Sequence, residues 1–156
     1  MSEDPGFDIK AAHRYFAARC FNQAWDLIDK PDRTSQEDEE MLRLAFASHW
    51  HWTQREDYSP EKASVGYWQI ARIYALLRQV ENARRYGQLC LEASQAKGVG
   101  PFYRGYAYEA LARAEAVAGD REKTEQYRAA AKAAAEQVAE AEDREVLLAD
   151  LETIKW

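Results

Sequence analysis

The sequence predicts an all-α protein of antiparallel helix pairs, about seven or eight helices in 156 residues. Three observations predict it. Apolar residues recur at spacings of three and four along most of the chain, the period of one helix face. Helix punctuation recurs as well. Thr34-x-x-Glu37 fits a capping box, Ser59-Pro60 sets an N-cap before a proline suited to the first helical position, and Gly100-Pro101 and Gly119-Asp120 interrupt the pattern. Finally, a local arrangement returns: Tyr15 stands nine residues before Ala24, and Tyr74 nine before Ala83. Glu115 and Thr124 hold the same two places 41 residues further on. Self-similarity of this kind is the mark of repeated helix pairs.

The elements follow in order. Residues 1–7 read as a frayed lead-in. Residues 8–19 read as a helix on Ile9, Ala12, Phe16 and Ala17. A second short helix covers 21–29, and Pro31 stops it, because an interior proline removes a hydrogen bond and clashes with the preceding turn. The capping box starts a helix that runs to about residue 54. Its first turns carry Glu37, Asp38, Glu39 and Glu40, favourable against the helix dipole. In the register of the repeat this helix has no partner of its own. Glu56-Asp57-Tyr58 is a loop. The helix over 60–78 is apolar on most sides, so neighbours are expected on more than one face. Helices follow over 81–97 and over 102–118, the latter rich in alanine. Residues 121–140 carry a stripe of Tyr127, Ala131, Ala134 and Val138. Residues 143–154 form a final packing helix after a break near Glu142-Asp143. Nothing reads as a strand or a long linker, so one domain over 1–156 is expected.

Composition narrows the function. Apolar residues are 47% and charged residues 31%, a balance that excludes a disordered chain. The formal net charge is −6, and basic runs go no further than pairs such as Arg84-Arg85. That argues against nucleic acid, where neutralising phosphate dominates affinity. The polar, acidic start lacks the apolar stretch of a secretory signal, and no uncharged apolar run approaches the ~20 residues needed to cross a bilayer. A cytoplasmic location and no membrane partner are the expectations. Cys20 and Cys90, each inside an apolar helical pattern, read as buried reduced thiols, with a disulfide or a reactive thiol as the minor alternative.

The pair over 60–97 resembles a tetratricopeptide repeat. Tyr67, Ile70, Ala71 and Tyr74 match the large, large, small, aromatic signature of that family's first helix. Ala83 and Cys90 match the small positions of its second. Gly87 departs where a bulky residue is usual, and Gln95 replaces the closing proline. The pair over 102–139 matches through Tyr108, Leu111, Ala112 and Ala131, while Glu115, Arg128 and Glu136 depart. A carboxylate at the aromatic position needs a partner, since burying it alone is costly. The first pair fits through Tyr15 and Ala24. As a whole the chain is similar to bacterial helical proteins of this type. The resemblance implies pairs stacked as a short right-handed superhelix, and it implies no activity.

The resemblance also implies a groove on the inner helices. Carried onto this chain, its positions are Trp68 and Arg72, then Tyr106, Glu109 and Arg113, with His13 and Phe16 from the weak first pair. Aromatic area with arginine forks suits a peptide bearing an acidic or C-terminal carboxylate. The structural alternative is that Arg72 and Glu109 simply pair with each other across neighbouring helices while Trp68 is a core residue. If Leu147, Leu148 and Leu151 fill the groove, the site is lost. The second candidate is an aromatic and histidine pocket around His49, His51 and Trp52. His49 and His51 are two apart, so on a helix they face different sides and do not chelate one metal together. No phosphate loop, nucleophile elbow or zinc spacing is present. The expected function is therefore a non-catalytic module without cofactor or metal. It would bind a protein, a peptide or another copy of itself, with small-molecule sensing as the alternative.

Overall fold

The computed structural model describes residues 3–156, and seven α-helices account for the regular structure among them. They are α1 (Ile9–Ile28), α2 (Ser35–Thr53), α3 (Pro60–Leu76), α4 (Val80–Ser94), α5 (Pro101–Ala118), α6 (Arg121–Glu136) and α7 (Ala141–Glu152). No strand occurs among the described residues. Helices adjacent in the chain pack in pairs: α1 on α2, α3 on α4 and α5 on α6. Contacts of α2 with α3, and of α3 and α4 with α5, join the pairs, and α7 lies on α5 and α6. No described helix is long and apolar enough to cross a membrane. Residues 3–7 of the expected lead-in are non-helical; residues 1 and 2 lie outside the described residues.

The first pair corrects the sequence reading. The two helices expected over 8–19 and 21–29 are one helix, α1, capped by Asp8 through the Ala11 amide at 3.1 Å. No glycine or proline interrupts residues 9–28, and Ala17, Ala24 and Ile28 continue a single buried stripe. Tyr15 and Ala24 therefore share one helix, and their spacing marks no corner. The helix over 35–53 does have a partner, which is α1. Ser48, fully buried, donates to the Ala17 carbonyl at 2.7 Å across this pair. The turn between them is tied by Arg33. Its guanidinium donates to the Leu27, Ile28 and Lys30 carbonyls at and just past the end of α1, and to Asp38 on α2 at 2.8 Å.

The other helix starts follow their caps. Thr34 and Glu37 form the reciprocal capping box, at 2.9 and 3.2 Å. Ser59 caps α3 ahead of Pro60, and Asp120 caps α6 through the Lys123 amide at 3.0 Å. The ends of α3 and α5 share one geometry. Arg78 (φ 58°) and Gly119 (φ 80°) each take the left-handed conformation. The following amide then reaches back five residues, Gln79 to Tyr74 and Asp120 to Glu115. Glycine adopts that conformation freely and arginine does not. The break before α7 falls at 137–140, a few residues ahead of the one expected near Glu142.

Two departures from the expected pattern have physical reasons. Gly87 stands where bulk is usual because Leu111 of α5 fills that space, and a β-carbon there would meet the Leu111 side chain at 2.9 Å. Glu115 replaces the aromatic because Arg84 of α4 supplies its partner. The guanidinium grips both carboxylate oxygens at 2.9 Å, with Glu115 only 5% exposed. The cysteines are free. Cys90 is buried, but Cys20 is only half-buried, short of what was expected.

Arg84→Ala leaves the Glu115 carboxylate buried without its cation. Urea unfolding is expected to show a loss of about 3 kcal/mol, the lower end for a broken buried pair because Arg84 is part-exposed. Adding Glu115→Leu to that variant removes the stranded charge and is expected to restore most of the loss.

Candidate functional site

α3 and α5 run side by side in the same direction, and one stripe of each faces the other. On α3 the stripe is Val65, Trp68, Arg72 and Leu76; on α5 it is Phe102, Tyr106, Glu109, Arg113 and Val117. Steps of three and four residues keep each stripe on one face. The five groove residues expected from the sequence therefore meet. Glu109, with no exposed surface, is their hub. It accepts from the Trp68 indole N–H at 2.8 Å, from Arg72 Nη1 at 3.1 Å and from Arg113 Nε. The Arg72–Glu109 pairing that the sequence left open is thus present. Tyr106 packs its ring edge-on against Trp68, centroids 5.2 Å apart, and Trp25 of α1 packs on Trp68 at 5.3 Å.

α7 is tied to the same network. Tyr106 donates to Asp150 Oδ2 at 2.6 Å, and Arg113 Nη2 donates to the Asp150 carbonyl at 2.9 Å and to Thr153 Oγ1. Burial, and then the Asp150 hydrogen bond, push the Tyr106 phenol well above its usual range, so it is a donor at any ordinary pH. Burial, followed by the neighbouring charge of Arg113, lowers Arg72 from its usual value, with Glu109 opposing. Leu147 and Leu151 do not plug the space between α3 and α5. They are buried against Ala112, Ala116, Ala131 and Ala135 of α5 and α6, and Leu148, partly buried, packs on the same cluster.

Two cavities flank the hub. Toward the helix N-termini, a cavity of about 220 Å³ is lined by Trp68, Phe102, Tyr103 and Tyr106, with Ser64 and Val65. Toward the C-termini, one of about 230 Å³ has Arg72, Arg113, Thr153 and Lys155 on an apolar bed that includes Leu76 and Val117. Phe102, Tyr103, Asp150 and Lys155 are the residues that sequence reasoning missed. The spacing of Phe102 and Tyr103 from Tyr106, four and three residues, was a usable signal for the first two. Nothing local pointed to the last two, which depend on where α7 docks.

The second candidate does not assemble as one pocket. His49 is buried between α2 and α3, its Nε2 2.9 Å from the Tyr58 hydroxyl and its ring 4.5 Å from that of Tyr67. Gly66 makes room for it, since a β-carbon there would lie 2.5 Å from Nδ1. His51 faces α1 instead, with Nδ1 2.9 Å from Nδ1 of His13 and its ring stacked on Phe16. Trp52 takes a third direction, under the Arg55 guanidinium at 3.9 Å and near Lys62. It lines a cavity of about 200 Å³ with Phe21 and Val65, which neither histidine reaches. No cluster of three or more metal-ligating side chains occurs among the described residues.

No known protein family, curated protein or solved structure matches this chain.

The histidines give the fold an acid limit. Burial lowers the imidazole of His49, and burial followed by the His13 charge lowers that of His51. A histidine whose folded pKa lies below its unfolded value binds its proton more readily when the chain unfolds. Stability is therefore unaffected above the ordinary imidazole range and declines as pH falls through it, levelling once the folded groups also protonate. Urea midpoints are expected to drop between about pH 7.5 and about pH 5.5. His49→Gln should flatten that slope; an unchanged slope would place the acid sensitivity elsewhere.

Proposed function

We propose that this chain is a non-catalytic, tetratricopeptide-like interaction module that binds a peptide along the α3–α5 groove. The observation that carries the reading is the pair of unlike cavities at the two ends of one helix–helix seam. One end is aromatic, and the other gathers Arg72, Arg113 and Lys155. A ligand with an apolar-bodied side chain at one end and a carboxylate at the other complements both. The stretch from Val65 to Ala75 spans about 15 Å at the helical rise, roughly four or five residues of extended chain. Glu109 engages Arg72 through Nη1 and Arg113 through Nε, and Arg113 Nη2 serves α7. Lys155, on the exposed C-terminus, forms the accessible part of the cationic end. The matching ends of α3 and α5, at Arg78 and Gly119, support reading the helix pairs as repeats of one unit.

Selection from a displayed peptide library, followed by titration of the selected peptides, tests this reading. The expected peptides carry a free or side-chain carboxylate four or five residues from a large side chain. Amidating that carboxylate, or substituting Lys155→Glu, should weaken binding by about tenfold or more, the scale of a lost charge-assisted contact. Peptides insensitive to both changes would overturn the proposal.

A further inference from the structure

We propose that the aromatic cavity between α3 and α5 is a binding site for an alkylated ammonium group, such as a quaternary amine or a methylated amine side chain. Four of its six lining residues are aromatic: Trp68, Phe102, Tyr103 and Tyr106. Ring faces are the negative ends of an aromatic quadrupole and attract a cation placed over them. Two of these rings are further enriched. Trp68 gives its N–H to the Glu109 carboxylate at 2.8 Å, and Tyr106 gives its O–H to the Asp150 carboxylate at 2.6 Å. A ring that donates its proton toward an anion gains electron density on its face. The same two hydrogen bonds fix both side chains, so the site is ordered before any ligand arrives.

The rest of the lining decides which cation. No charged side chain is among it, and the Ser64 hydroxyl is occupied with Cys90. A bare ammonium entering would lose its water without gaining hydrogen-bond acceptors. An alkylated ammonium holds its water weakly and presents methyl groups to the apolar wall, so it meets both demands. An anion finds no donor there. The cavity volume, about 220 Å³, accommodates a trimethylammonium group with its neighbouring methylenes. The Arg72 guanidinium lines the other cavity and is paired with Glu109. This site needs no peptide and stands apart from the carboxylate end of the groove.

Choline and its neutral isostere 3,3-dimethylbutan-1-ol separate a cation site from a merely apolar one. Titrations at matched ionic strength would follow the Trp68 indole N–H resonance by nuclear magnetic resonance. Choline is expected to bind about tenfold more tightly than the alcohol, the increment of a desolvated cation over ring faces. Phe102→Leu with Tyr103→Leu keeps the apolar wall and removes two rings. It should lower the choline affinity and leave that of the alcohol. Circular dichroism checks that the double variant folds, and Tyr103→Leu alone serves if it does not. Equal binding of the two ligands, no binding of choline, or binding unaffected by loss of the rings would each overturn the proposal. Because no peptide is used, failure here leaves the peptide reading untouched, and failure there leaves this one.

Discussion

A carboxylate without exposed surface organises the centre of this protein. Glu109 is surrounded by two guanidiniums and an indole N–H, drawn from α3 and from its own helix. Removing a charge from water costs several kcal/mol, and the cost is offset only when the lone pairs are satisfied in good geometry. That condition binds the surroundings. Trp68 and Arg72 must stand one turn apart on α3, and α5 must run beside it in register. Arg113 then has a free edge for the carbonyl of Asp150, and Tyr106 has its hydroxyl directed at the Asp150 side chain. One buried charge thus fixes the spacing of α3 and α5 and the seat of α7. Apolar packing stabilises each interface, but it is tolerant of sliding. The hydrogen-bonded network is not, and it is what selects one arrangement.

The same logic appears once more in the third pair. Glu115 and Arg84 replace an aromatic contact by a two-pronged ion pair joining α4 to α5. Both acidic residues lie on α5, six residues apart, and face different neighbours, α3 and α4. The helix that carries them is otherwise lined with small residues: Ala107, Ala110, Ala112, Ala114 and Ala116 are all buried. Alanine lets adjacent backbones approach, and the two carboxylates supply the specificity that alanine lacks. The interior of α5 therefore combines close packing with two directional anchors, and both cavities of the proposed site open beside it.

Much of this was legible in the sequence because it is local. Thr34 with Glu37, Ser59 with Pro60, and Gly119 with Asp120 each carry their cap or corner chemistry in a few residues. The five groove residues were reached through the resemblance to a tetratricopeptide repeat, which implied that these positions face one another; spacing alone places each set on one face of its helix without saying what that face meets. The split of α1 was misread for an instructive reason. Tyr15 and Ala24 repeat the spacing of Tyr74 and Ala83, but the corner after α3 exists because Arg78 takes a left-handed conformation. Spacing does not reveal that, and arginine does not advertise it. Between Tyr15 and Ala24 no residue leaves the right-handed helix. The role of α7 was hidden too. Its apolar residues announced that it packs, but only the docked position brings Asp150 to Tyr106 and Lys155 to the rim of the second cavity. His49, His51 and Trp52 diverge because consecutive helical positions point about 100° apart, so an unusual composition was spread over three directions.

The dependence of α7 on a residue with which it shares no hydrogen bond is the sharpest consequence of the Glu109 network, and amide hydrogen exchange on Glu109→Ala measures it directly. Without the carboxylate, Arg113 and Arg72 repel each other, and the contacts that Arg113 makes to Asp150 and Thr153 lose their support. The account predicts that protection falls together in α7, in the 64–72 stretch of α3 and in the facing part of α5, while α1 and α2 keep theirs. Protection in α7 that stays at the wild-type level, with α3 and α5 unchanged, would contradict it.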